Sequence, residues 1–167
     1  MTYTVPRMTE EQSRAWLALV WMAELLPAVL DAQLQSNADL THFEFMVLGT
    51  LRQASKSALR TKDLAAAVNA TPPRLSRVLS KLEARGLVER AGGTTDARVV
   101  NVRLTTTGRR ALVRAVPDHI ALAKELVMDQ LSEEDLGSLA RILEPLVDRL
   151  DPHRRVGFTA AGRASLD

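Results

Sequence analysis

Apolar residues recur along most of this chain at the three- and four-residue steps of a helix. The series that organises the rest begins at Leu75: Leu75, Val78, Leu79 and Leu82 fall at i, i+3, i+4 and i+7, a single stripe on a 3.6-residue helix. Thr71 stands where an N-cap belongs, and Pro72 takes the first helical position, where a missing N–H costs nothing. Gly86 stops the helix in the C′ position and leaves Leu87 to pack back on the preceding turn. Away from the stripe lie Pro73, Arg77 and Ser80, flanked by Arg74, Lys81 and Ser76, with no acid before Glu83. A helix of this kind buries one face and offers the other to a major groove.

The same periodicity predicts the neighbouring elements. Thr9-Glu10-Glu11-Gln12 fits a capping box and starts a helix to about Leu34, with a kink expected at Pro27 and a break at Ser36–Asp39. Its apolar positions, Trp16, Leu19, Val20, Met22, Leu26, Val29 and Leu30 among them, cover more than one face, so a partner is expected to bury the excess. Thr41-x-x-Glu44 is a second capping box, for a helix to about Gln53. A polar loop, Ala54–Arg60, leads to a short helix, Lys62–Asn69, capped by Thr61. Two short helices joined by a tight turn, the second displaying basic residues, predict a helix-turn-helix.

After it the period changes to two. Leu87–Arg90 reads as a strand, Ala91–Ala97 with Gly92-Gly93 as a turn, and Arg98–Leu104 as a second, alternating strand. A ribbon in this place is a wing, and Arg98 near its tip suits a narrow minor groove or an ion pair with Asp96 that holds the hairpin. Thr105 opens a long helix to about Gln130, expected to be interrupted at Pro117. Ser132 caps a last one, Glu133–Leu150, with a bend expected at Pro145. The fold class is therefore mainly α with a small β-ribbon.

Charge sharpens this picture. Between Arg60 and Arg110 stand eleven Lys and Arg against four Asp and Glu, a local +7, while the remainder carries −5 and the whole chain +2. A basic centre between acidic ends fits a polyanion partner. Without cysteine the chain has no disulfide, thiolate metal site or thiol redox chemistry. The three histidines lie in separate segments without i, i+4 partners, so no metal or other cofactor is expected. Apolar runs such as Ala15–Ala23 are too short to span a bilayer, so the expectation is a cytoplasmic protein with no membrane partner. No Gly-rich phosphate loop, H-E-x-x-H or G-x-S-x-G is present, and an enzyme is not expected. A winged-helix module that binds protein rather than DNA is the alternative, and the basic centre argues against it.

In this order and spacing, L-S-R-x-L-x-x-L-E-x-x-G-L-V-x-R at Leu75–Arg90, Asp96-Ala97-Arg98 and Val102-Arg103-Leu104-Thr105-x-x-Gly108 resemble the multiple antibiotic resistance regulator (MarR) family from about Glu10 to Leu150. The resemblance implies a winged helix-turn-helix lobe at residues 36–104, with helices 9–35 and 105–150 interlocking into a homodimer. Residues 1–8 and 151–167 are expected to be disordered arms. It further implies a repressor of a pseudo-palindromic operator on double-stranded DNA. Arg74, Ser76, Arg77 and Ser80 would lie in the major groove, with Lys81, Thr61 and Thr71 near phosphate, and Arg98, braced by Asp96, in the minor groove. Family members often hold a small aromatic anion beside the dimer helices. Here Trp16, Trp21, His42, Phe43 and Met46 would line that cleft, unless they are ordinary core and interface residues. Pro72-Pro73 and Gly92-Gly93 depart from the family's common pattern.

Overall fold

The computed structural model describes residues 4–54, 58–92 and 100–151. Helix α1 spans Glu10–Ala38 and α2 His42–Gln53. A two-residue strand β1, Leu59–Arg60, precedes α3, Thr61–Ala67, and α4, Pro72–Ala84. Strands β2, Val88–Gly92, and β3, Val100–Leu104, are followed by α5, Thr106–Leu126, a 3-10 turn, Met128–Gln130, and α6, Glu133–Leu150. Both predicted capping boxes form: Thr9 with Gln12 and Thr41 with Glu44.

Several boundaries differ from the sequence reading. Helix α1 continues to Ala38 because Ser36 satisfies itself against the Gln33 carbonyl and Asp39 takes up the left-handed turn (φ 52°) that an aspartate tolerates. Pro27, Pro117 and Pro145 all lie within continuous helices, each deleting a hydrogen bond without ending its element. The loop expected at 54–60 contains β1, too short to show a period of two. It pairs with β3 at Leu59↔Val102 and Arg60↔Asn101, so the ribbon is an antiparallel sheet of order β1-β3-β2. Arg60, not Thr61, occupies the N-cap of α3.

The core lies between the end of α1, the 36–104 segment and α5. Leu75, Leu79 and Leu82 of α4 meet Leu34, Leu48, Leu64 and Val102, all with no exposed surface. Leu112 and Ala115 of α5 close this core. At the end of α4, Gly86 is left-handed (φ 67°), as its place requires, and the amides of Gly86 and Leu87 return to the Glu83 and Leu82 carbonyls.

The outer helices contrast with this core. No residue of α6 is buried, and α1 buries only Ser13, Leu30 and Leu34 of its 29 residues. By length and composition alone, with a mean hydropathy of 1.5 over 18 of its residues, α1 would reach across a bilayer, which corrects the reading that its apolar runs are too short. Its C-terminal half, however, is committed to the folded core through Leu30 and Leu34.

Candidate nucleic-acid interface

The buried leucine stripe fixes which way α4 faces. Ser76, Arg77, Ser80 and Lys81 are exposed, and among the described residues neither Arg77 nor Lys81 enters an ion pair. Arg90 on β2 is withdrawn: its Nε and Nη2 donate to Glu83 Oε2 at 2.8 and 2.6 Å, and its backbone N–H donates to Oε1 at 3.1 Å. The hydrogen bonds from Arg90 hold the Glu83 carboxyl below its ordinary pKa. Glu83, the only acid on α4, therefore cancels a wing-base arginine and leaves Arg77 and Lys81 unopposed.

Other predicted contacts are constrained. The Ser80 hydroxyl donates to the Ser76 carbonyl (3.1 Å) and accepts from Arg90 (3.3 Å), so its proton is already committed. Thr61 donates to the Val100 carbonyl (3.0 Å) and ties α3 to β3, leaving its oxygen lone pairs as acceptors, the wrong polarity for phosphate. Thr71 caps α4 through its backbone alone, which leaves its hydroxyl free. Because Pro72 and Pro73 lack N–H groups, the first turn of α4 offers a phosphate the amide of Arg74 but not the usual cluster. Asp96 and Arg98 lie outside the described residues.

Arg74 is exposed like its neighbours but leans toward α2. Its guanidinium sits 4.2 Å over the centre of the Phe43 ring, a cation–π contact between α4 and α2. The two residues share the wall of a cavity of about 480 Å3 with Asp31, His42, Met46 and Asn69. Three of the five predicted cleft residues thus come together. Trp16 and Trp21 do not; they stand on α1 with about half or more of their surface exposed (49 and 59%). Sequence reasoning missed Asp31 and Arg74 as lining groups. The signal available for Arg74 was its place on the flank of α4, one turn from the outward face.

His42, the first residue of α2, is held among neighbours rather than left in solvent. Its backbone N–H donates to Asp31 Oδ1 (2.6 Å), and its ring lies 5.9 Å from that of His119 on α5, which in turn packs on Phe45 at 4.4 Å. Neither Nδ1 has a hydrogen-bond partner. Burial pushes both imidazoles below their ordinary pKa; nearby Asp31 partly opposes this at His42, and His42 adds to it at His119. Among the described residues no three His, Asp or Glu converge as metal ligands.

The lobe matches the MarR family model over residues 40–100. The chain is 32% identical over 115 residues to an HTH-type transcriptional regulator of Bacillus cereus, covering 69% of this chain and 72% of that one. The fold superposes with a TM-score of 0.80, at 31% identity, on Sco3205, a MarR family transcriptional regulator from Streptomyces coelicolor solved in complex with DNA. That match covers 86% of this chain and 93% of the other. The chain belongs to the MarR family. Another relative, the transcriptional repressor YetL of Bacillus subtilis, is 27% identical over 136 residues, 76% of this chain and 81% of its own. Membership gives the T-x-x-G at Thr105–Gly108 a physical reading that its pattern alone did not supply. In this MarR protein Thr105 Oγ1 accepts the Gly108 N–H (2.9 Å) and reaches the Gly86 carbonyl (2.7 Å), locking α5 against the end of α4.

Proposed function

We propose that the protein is a homodimeric transcriptional repressor that reads a two-fold DNA operator with α4 in the major groove and the β2–β3 hairpin over the flanking minor groove. The observation that carries this reading is the unpaired basic face of α4, Ser76, Arg77 and Lys81, held outward by three fully buried leucines. Two such helices must enter successive grooves about 34–36 Å apart. Repression follows from occupying a promoter, the role that YetL's name carries.

A partner protomer is needed on physical grounds too. Trp21 and Leu25 of α1, Ile120 of α5, and Ile142 and Leu150 of α6 are each more than half exposed. The cavity beside Phe43 takes the effector, a small aromatic or anionic ligand that pairs with Arg74. Such a ligand regulates only if it binds the DNA-competent and incompetent spacings unequally.

The test is duplex binding over a range of salt. A steep negative slope of log affinity against log salt is expected, and a flat slope means that the lobe docks on a protein instead. Arg77→Ala should cost about 1–3 kcal/mol of operator affinity if Arg77 makes a bidentate base contact. Unchanged affinity removes it from the interface.

A further inference from the structure

Arg85 lies at the C-cap of α4, turned away from the outward basic face. Its Nη1 reaches Glu44 Oε2 at 3.4 Å; its Nη2 donates to Asp39 Oδ2 at 3.0 Å and to the Asp39 backbone carbonyl. Asp39 is the left-handed residue that ends α1, and Glu44 belongs to the capping box that starts α2. One guanidinium thus joins the end of the recognition helix to the elbow between the first two helices. Among the described residues, the polar contacts between α4 and the α1 terminus all pass through it.

These contacts are not equal. The Asp39 carboxylate is almost fully solvated and adds little. The Glu44 side chain is only 9% exposed, and its Oε2 also accepts the Thr41 N–H at 2.9 Å, so this oxygen is fixed before Arg85 arrives. A carbonyl at the negative end of α1 favours the same cation. The tie is therefore anchored on two immobile acceptors, the geometry that fixes an orientation rather than one that merely adds stability.

We propose that Arg85 is a positioning residue: it sets the angle between α4 and α1, and through it the half-site spacing that the dimer accepts. The inference rests on the dimeric DNA-reading function proposed above. A 13-residue α4 is roughly 20 Å long, so a swing of about 10° at its C-terminal end moves the N-terminal end by about 3 Å, close to one base-pair step. Arg77 travels with that end. Loss of the tie lets the two recognition helices accept spacings that the native dimer rejects.

The experiment uses the full chain and the operator duplex recovered by genomic footprinting, with the half-site spacer native, lengthened by one base pair or shortened by one. Arg85→Gln is expected to weaken binding at native spacing about three- to tenfold, the range seen for residues that couple sites without touching a ligand. It should also shrink the native protein's preference for the native spacer by a similar factor, with the salt slope unchanged. Glu44→Gln retains the capping box, which accepts either residue, and should relax the spacer preference in the same direction. It carries the test if Arg85→Gln fails to fold. Wild-type spacer preference in the folded variants overturns the proposal. So does a salt slope lowered by about one per subunit with the preference intact, which makes Arg85 a phosphate contact. Sedimentation of the wild-type chain separates the two levels: a monomer refutes the dimer reading itself, whereas a dimer with unaltered variants refutes only the role of Arg85.

Discussion

Gly108 has no room for a side chain. A Cβ built there would stand 2.0 Å from the Leu87 carbonyl oxygen and 2.9 Å from Leu104 Cδ1. Both are held: the Leu87 oxygen accepts the Thr105 N–H at 3.1 Å, and Leu104 is paired with Val88. Gly108→Ala must therefore move backbone, and an overpacking cost of about 3 kcal/mol is expected. Thermal melting checks this; a variant that melts with the wild type would mean that α5 can shift outward freely. At this scale the sequence was partly legible. Leu75, Leu79 and Leu82 were readable as core because periodicity encodes facing direction. That the Ser80 proton is spent on Ser76, or that Arg74 lies over Phe43, was not, because neither follows from helical spacing.

At the scale of elements, capped helices were legible, as were the ends of α2 at Gln53 and α6 at Leu150, but the end of α1 was not. Thr9, Thr41 and Ser132 each accept the N3 amide that their motif predicts. The end of α1, by contrast, depends on Asp39 adopting a left-handed turn where Arg85 meets it, a tertiary event without a local signal. The His42–His119 contact is of the same kind, since it joins α2 to α5 across 77 residues of sequence. Both imidazoles have folded pKa values below the ordinary 6.5, so the unfolded chain binds protons more readily than the native one. Stability from this contact is complete above pH 6.5 and is lost as pH falls through 6.5 toward the depressed values. Asp31 on α1, which partly offsets the burial of His42, is the acid that tempers this loss. The Glu83–Arg90 pair gives way at lower pH, as Glu83 is protonated from its ordinary 4.5 downward. His119→Phe keeps a ring on Phe45 and should flatten the decline of melting temperature between pH 7 and 5. A decline identical to that of the wild type would place the sensitivity elsewhere.

For the whole molecule, the decisive feature is an imbalance. The lobe buries Leu48, Leu64, Leu75, Leu79 and Leu82 completely, whereas α6, 18 residues with an apolar stripe through Leu136, Leu139, Leu143 and Leu146, buries none of its own in its own protomer. A helix kept in this state would be a liability in solution, since contiguous apolar patches of this extent mark interfaces or aggregate. The excess of apolar positions on α1 signalled the same thing in sequence, because periodicity reveals a surplus of buried face but not what covers it. Leu25→Glu with Leu146→Glu places a charge on each of the two exposed helices and leaves the lobe core of Leu34, Leu75 and Leu82 untouched. The expected product is a folded monomer by sedimentation, with helical circular dichroism largely retained. Its salt slope for operator binding should be about half that of the dimer, because only one lobe's phosphate contacts remain. Affinity should fall further than the loss of one lobe's contacts alone implies, since two linked half-sites bind at an effective concentration that a monomer lacks. A double variant that stays dimeric would move the interface away from α1 and α6. One that becomes monomeric yet binds the operator with the wild-type slope would show that a single lobe supplies every phosphate contact, and would overturn the reading that both lobes of the dimer engage DNA.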